Sequence, residues 1–125
     1  MEIKRDQPTI RGPAQWFTGD VWIDPVASSL DGSELNVAAV RFTPGARTAW
    51  HSHSRGQTLC VTEGEGLVQS RGEAAVPIRP GDVVTTPPDE WHWHGARPDR
   101  FMSHFSITEG GADWGDQVTD DEYGR

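Results

Sequence analysis

Glycine and proline divide this chain into short segments, and this feature limits its fold more than any other. The 125 residues include 14 glycines and 9 prolines, and the apolar runs between them are too short for long helices. Within the segments, apolar and polar residues tend to alternate with the period of two that is typical of β-strands. Short strands separated by regularly spaced turns predict an all-β fold, either a sandwich or a barrel.

The predicted strands belong to one domain that covers residues 1–125. Its barrel core extends over about residues 16–108, between a polar N-terminal arm and a polar C-terminal tail, and residues 24–34 are predicted to form a loop. In the tail, Thr119 and Glu122 have the spacing of a capping box, which predicts a short terminal helix. The predicted strands are residues 16–23, 35–42, 48–53, 57–62, 67–70, 75–78, 83–86, 91–95 and 101–108.

The charge and cysteine content exclude several classes of protein. With 11 basic and 19 acidic residues the formal net charge is −8, which disfavours binding to nucleic acid or to an anionic membrane surface. The single cysteine, Cys60, cannot form an intrachain disulfide, so a secreted disulfide scaffold is excluded. We expect Cys60 to be a buried, inert thiol. We also expect a cytoplasmic protein, because the N-terminus runs into charged residues without an apolar signal region.

Four of the five histidines are arranged in a pattern that is typical of metal sites. Residues i and i+2 of a strand lie on one face, roughly 7 Å apart along the backbone, so each pair directs two imidazoles to the same side of a sheet. Imidazole suits first-row transition metals, and Gln57, at the start of the next predicted strand, can add an amide oxygen. The alternative is that these histidines are solvated or packed. The histidines form two His-x-His pairs, His51/His53 and His92/His94.

The spacing around these pairs resembles the two motifs of the cupin family. The first motif is Gly, five residues, His-x-His, three or four residues, Glu, six residues, Gly; the second is Gly, five residues, Pro-x-Gly, two residues, His, three residues, Asn. The resemblance implies a double-stranded β-barrel of jelly-roll type with one divalent metal ion held by His51, His53, Gln57 and His92. The matching positions are Gly45, His51, His53, Gln57 and Gly64 in the first motif, and Gly81, Pro87, Asp89, His92 and Ala96 in the second.

Three positions depart from the family pattern, and one of them changes the chemistry. Asp89 and Ala96 replace a glycine and an asparagine at turn or packing positions, whereas Gln57 replaces the usual glutamate ligand. With Gln57 all four protein ligands are neutral, so a bound metal keeps its full formal charge. This favours polarisation of a bound oxygen over activation of dioxygen.

Further segments resemble the small bacterial cupins with hydroxynitrile lyase activity. That resemblance implies a manganese-dependent carbon–carbon lyase that cleaves or forms mandelonitrile from an aromatic aldehyde and cyanide. Iron, cobalt, nickel and zinc also suit three imidazoles and an amide oxygen. The segments are residues 12–19 (GPAQWFTG), 44–53 (PGARTAWHSH), 56–59 (GQTL), 80–84 (PGDVV), 92–96 (HWHGA) and 118–120 (VTD).

Two histidines remain as candidate catalytic residues. His94 follows His92 by two residues on the same strand face, so it lies beside the metal and could take the proton of the substrate hydroxyl. His104, on the last predicted strand, could hydrogen-bond cyanide or shuttle the proton. The alternatives are that His94 is a fifth ligand or supports a ligand, and that His104 is a packed polar residue.

The candidate substrate pocket combines an apolar wall with two hydroxyls. Ala38, Val40 and Phe42 share one face of the strand 35–42, and that face points inward because the intervening arginine prefers water. Thr48 and Thr108 could add polar contacts. The apolar residues also have a simpler interpretation as barrel core.

The sequence is compatible with three functions. The first is the cyanohydrin lyase, the second is a metal-dependent cupin dioxygenase or other oxidoreductase, and the third is a non-enzymatic metal-binding sensor. An exposed aromatic N-terminal strand with Trp16, Phe17 and Trp22 is expected to favour a homodimer or homotetramer.

Overall fold

Strands dominate the computed structural model, which describes residues 1–28 and 33–124. One short helix, α1 (Asp120–Tyr123), lies near the C-terminus, and Thr119 and Glu122 form the predicted capping box at its start. The predicted all-β fold is therefore confirmed. The strands of the described ranges are β1 (Ile10–Arg11), β2 (Phe17–Thr18), β3 (Val21–Ser28), β4 (Leu35–Phe42), β5 (Arg47–Thr48), β6 (His51–His53), β7 (Gln57–Gly64), β8 (Gly66–Ser70), β9 (Val76–Ile78), β10 (Val83–Thr86), β11 (His92–Ala96), β12 (Met102–Glu109) and β13 (Ala112–Trp114).

Two antiparallel sheets face one another and form the barrel. The six-stranded sheet has the order β1-β3-β4-β12-β7-β10. In the seven-stranded sheet, β11 is central: it pairs with β5 and β6 along one edge and with β8 along the other, while β2, β13 and β9 extend these neighbours. Strands distant in sequence are thus adjacent in both sheets, which gives the jelly-roll topology.

The interior of the barrel contains an apolar core beside the histidines. On β4, Val40 and Phe42 are buried while Arg41 is exposed, as the alternation predicts. A separate cluster of Trp50, Trp93 and Val118 packs on the outer face of the seven-stranded sheet, beneath the C-terminal residues. The buried interior core consists of Val21, Val40, Phe42, Ala46, Val61, Ile78, Ala96 and Met102.

The predicted loop at residues 24–34 is wrong over its first part. β3 continues through Pro25 to Ser28, with an irregular register between Pro25 and Ala27. β1 pairs with β3 only at Trp22 and Ile23, so β3 has an unpaired edge on that side at Pro25, and proline is tolerated on an edge strand. Residues 29–32 of the predicted loop lie outside the described residues.

The C-terminal tail is more structured than predicted, and the N-terminal aromatic residues are less exposed than expected. The tail does not end as a polar extension, because β13 pairs with β6 and Val118 is buried. At the other end, Trp16 stacks on Trp114, and Phe17 packs against Trp114 and Phe42. Of the N-terminal aromatic residues expected on the surface, only Trp22 is exposed.

The structure also bears on the burial of Cys60 and on membrane-spanning helices. Cys60 is half-buried on the outer face of the six-stranded sheet, not fully buried as expected. Among the described residues, no helix has the length and apolar character needed to cross a membrane.

Candidate metal centre and active site

Three histidines from two adjacent strands converge inside the barrel. His51 on β6 lies directly opposite His92 on β11, and His53 lies on the same face of β6 as His51. All three side chains are buried, and one nitrogen from each lies within 4.8 Å of the others. The His-x-His spacing therefore produces the shared face that the sequence predicts.

The fourth predicted ligand comes from the other sheet. Gln57 begins β7, and its Oε1 lies 3.0 Å from His92 Nε2. Its amide nitrogen donates a hydrogen bond of 2.9 Å to Ser106 Oγ on β12. The preceding turn depends on Gly56, which has φ 82° and lies against the carbonyl of Thr86, where a side chain would collide.

The hydrogen bonds assign the protons of two of these imidazoles. The Nδ1 atoms of His51 and His92 lie 2.9 Å from the carbonyl oxygens of Ala49 and Glu90, respectively. A carbonyl oxygen only accepts, so each Nδ1 carries the proton and each Nε2 presents a lone pair. Backbone contacts of this kind fix the tautomer of histidine in metal sites.

This arrangement fits a cation. His92 Nε2 and Gln57 Oε1 are both acceptors, yet they face one another at 3.0 Å. His53 Nε2 is buried and has no hydrogen-bond partner within residues 1–28 and 33–124. A divalent metal between these atoms would satisfy all of them, because nitrogen and amide oxygen are both suitable ligands.

The electrostatics keep these histidines neutral and ready to bind. Burial, followed by the charge of His92, lowers the pKa of His53 to about 4, although the nearby Gln57 side chain opposes this shift. Burial also lowers the pKa of His51 well below its usual value, again with a contribution from His92. The pKa of His92 itself is lowered by burial. At neutral pH protons therefore compete weakly with a metal for the three imidazoles.

One departure from the cupin motifs has a clear structural explanation. Asp89 occupies the position of the motif's glycine and has φ 63°, a left-handed conformation that aspartate tolerates better than most residues. Its backbone N–H donates to the carbonyl of His53. The β10–β11 turn thus holds β6 in place at a predicted ligand.

The two candidate catalytic histidines form a direct pair. His94 Nδ1 lies 3.0 Å from His104 Nε2, so one N–H is shared between two rings from opposite sheets. Burial, together with nearby histidines, lowers the pKa of His94 well below its usual value, and burial lowers that of His104 to about 4. The other nitrogens, His94 Nε2 and His104 Nδ1, are buried without hydrogen-bond partners in the described part of the chain.

The predicted pocket residues take different places. Val40 and Ala38 lie directly opposite His104 and Ser106 on β12, so they share the inward face. Phe42 contacts both candidate catalytic rings, at centroid distances of 5.9 Å to His94 and 5.3 Å to His104.

The two threonines differ in environment. Thr48 is buried, and its hydroxyl accepts a hydrogen bond from the backbone N–H of His94, so it supports β11. Thr108 is half-buried and lies opposite Gln57, at the edge of the metal-ligating cluster.

The sequence analysis missed one neighbour of the metal-ligating cluster. Trp114 on β13 lies directly opposite His51 and stacks on its ring, with centroids 4.6 Å apart and an angle of 25° between the planes. The available signal was an aromatic residue after Gly110–Gly111 in a polar tail, which is consistent with a short returning strand.

The fold and the buried histidine cluster define a cupin, and comparison with known families agrees. Residues 38–107, more than half of the chain, match the cupin domain family. The protein therefore belongs to the cupin family, as its two motifs indicate.

The chain is also similar to individual proteins of known sequence or structure. The chain is 50% identical to an (R)-mandelonitrile lyase from Granulicella tundricola over the full length of both proteins. A crystal structure of a cupin-like protein from Thermotoga maritima has 44% identity and a TM-score of 0.88, over 90% of this chain and 89% of that one. The polyketide cyclase RemF from Streptomyces resistomycificus shares the fold at 15% identity, with a TM-score of 0.76 over 98% and 91% of the two chains.

Proposed function

We propose that this protein is a metal-dependent lyase that cleaves or forms cyanohydrins from an aromatic aldehyde and cyanide. The observation that carries the proposal is the unpartnered Nε2 of His94, which is neutral, buried and two residues from His92. The full-length similarity to a mandelonitrile lyase supports the same chemistry.

The proposed metal ligands are His51, His53, Gln57 and His92, with Mn²⁺ as the proposed ion. Three neutral imidazoles and a neutral amide oxygen leave its charge undiminished, and they suit a six-coordinate site with open positions. When bound, such an ion supplies Lewis acidity that lowers the pKa of a substrate hydroxyl.

In the cleavage direction, His94 acts as the base. Its Nε2 accepts the proton of the cyanohydrin hydroxyl while the carbon–carbon bond to the nitrile breaks and its electron pair leaves with cyanide. The hydroxyl carbon becomes the aldehyde carbon. The shared N–H lets His104 take up part of the positive charge that develops on His94, and return of the proton to cyanide releases hydrogen cyanide.

We propose that the apolar wall binds the aromatic ring of the substrate. Val40 and Phe42 lie beside the His94–His104 pair, and Ala38 extends the same inward face opposite Ser106, so together they offer an apolar surface of the kind that accepts an aromatic ring. We propose that Thr108 contacts the substrate beside Gln57, while Thr48 acts through the backbone of His94.

The test is cyanide release from racemic mandelonitrile by protein loaded with Mn²⁺, assayed with and without oxygen. We expect turnover that is equal in both atmospheres and falls to the background rate after the metal is chelated. Turnover that requires oxygen would favour a dioxygenase. A metal-loaded protein that releases no cyanide would leave a metal-binding sensor as the better explanation.

We also propose a homodimer or homotetramer in which the outer face of the six-stranded sheet is the interface. A row of paired positions crosses this face from Val83 through Cys60, Phe105 and Ala39 to Asp24. Val83 is 62% and Phe105 39% exposed, which is unusual for large apolar side chains on one sheet face. Asp24, at the end of the row, pairs with an arginine of β4, so two acidic copies can approach here with little repulsion.

Light scattering after size exclusion tests this interface. We expect a mass of at least two 13.8 kDa chains for the unmodified protein and one chain for Phe105→Lys, because a buried unpaired ammonium opposes association. Phe101→Lys is the control, since Phe101 is exposed outside the strands of this sheet. A monomeric unmodified protein would contradict the proposal.

The cytoplasm is the proposed location. Cys60, the only cysteine, is a half-buried free thiol. Free thiols persist in reducing compartments, which supports this placement. The proposed partner is a small-molecule substrate, because the net charge of −8 disfavours binding to nucleic acid or to an anionic membrane surface.

A further inference from the structure

The C-terminal residues return to the barrel and cover one side of the metal-ligating cluster. We call residues 112–124, which comprise β13, its connection and α1, the C-terminal strap. β13 pairs with β6, the strand that carries His51 and His53, along its whole length. The strap is therefore bound directly to the strand with the predicted ligands.

Several buried contacts fix the strap. Arg47 is buried, and its guanidinium donates two hydrogen bonds, of 3.2 and 2.7 Å, to the carbonyl of Val118. The same guanidinium lies 4.4 Å from the ring centroid of Tyr123. Trp50 exchanges backbone hydrogen bonds with Asp116 and Gly115. The position of the C-terminal strap is therefore fixed by contacts to both its backbone and its side chains.

The C-terminal strap positions the indole ring of Trp114 against the ring of His51, a predicted metal ligand. Trp114 stacks on His51 at 4.6 Å, and Trp16 stacks on Trp114 from the other side, at 5.1 Å and 11°. The backbone contact from His51 Nδ1 to Ala49 fixes the tautomer. The ring torsion of histidine is intrinsically broad, so a single hydrogen bond leaves its tilt poorly restrained.

We propose that Trp114 is a positioning residue for His51, and that the C-terminal strap thereby sets the metal affinity of the site. The inference rests on the proposed metal centre and not on the identity of the reaction. Stacking restricts the tilt of the imidazole, so less freedom is lost when a metal binds. A metal also makes the imidazole more cationic, which strengthens its attraction to the electron-rich indole face.

The experiment measures binding of Co²⁺ alone, by titration of its visible absorption, to Trp114→Ala, Trp114→Phe and the unmodified protein. We expect Trp114→Ala to bind Co²⁺ about 10- to 100-fold more weakly, with an altered absorption spectrum. Trp114→Phe, which keeps an aromatic face, should recover most of the affinity and the original spectrum. Trp22→Ala is the control, because Trp22 is exposed on the other sheet.

The thermal transition of each metal-free variant separates positioning from stability. A merely structural role predicts that Trp114→Ala, once folded, binds Co²⁺ with unchanged affinity and spectrum, and this result would overturn the proposal. Equal losses in Trp114→Phe and Trp114→Ala would overturn it as well. Unmodified protein that binds Co²⁺ but releases no cyanide would remove the lyase and leave this inference intact.

Discussion

His92→Ala is expected to eliminate both metal binding and cyanide release. His92 is the central member of the cluster, because it lies opposite His51 across the strand pair and contacts Gln57 of the other sheet. Its loss leaves two imidazoles and one neutral amide oxygen, a weaker donor set for a first-row metal. We expect metal content, measured by elemental analysis, to fall from one ion per chain to background, and cyanide release to fall to the rate without enzyme.

Gln57→Glu is the matched variant for this prediction. It retains four ligands and the approximate shape of the side chain but adds a negative charge beside the metal. Metal should be retained, while turnover falls, because an anionic ligand reduces the Lewis acidity available to the substrate. His92→Ala protein that keeps a full complement of metal would contradict the ligand assignment.

The local pattern of the sequence was sufficient to predict the arrangement of the histidines. Alternation along a strand is a short-range property, so His51 and His53 share a face whatever surrounds them. The motif spacing added Gln57, which periodicity could not place because it comes from the opposite sheet. The same short-range logic correctly assigned Phe42 to the interior.

What the sequence did not predict depends on long-range pairing. Trp114 reaches His51 only because β13 adds to the edge of β6, and three residues carry too weak a pattern to predict that pairing. Thr48 likewise has the burial expected of a pocket residue, yet its hydroxyl is occupied by the backbone of His94. In both cases the deciding partner lies more than forty positions away in the chain.

The neutral character of the site is compatible with the proposed role of His94 as a base. The cluster and the His94–His104 pair carry lowered pKa values, chiefly because they are buried. A neutral imidazole that resists protonation by solvent remains available at neutral pH to accept a substrate proton. In the proposed mechanism the barrel would therefore hold His94 in its neutral form but as a weaker base, so proton transfer would also require a lowered pKa of the substrate hydroxyl.

His94→Ala is therefore expected to reduce kcat for mandelonitrile cleavage by about 10²- to 10⁴-fold while the metal is retained. Its Nε2 is the unpartnered ring nitrogen two residues from His92, and the backbone N–H that Thr48 holds is unaffected by the substitution. Steady-state cyanide release and elemental analysis of the same sample measure both quantities.

His104→Gln provides the comparison that separates the base from its support. Glutamine can still hydrogen-bond His94 Nδ1, but it cannot share the positive charge as an imidazole does, so the loss of kcat should be smaller than for His94→Ala. Retained metal with unchanged turnover in His94→Ala would remove the base from the proposed mechanism. Loss of metal in that variant would instead indicate that His94 is a ligand or holds a ligand in place, because either role accounts for the loss of both metal and turnover.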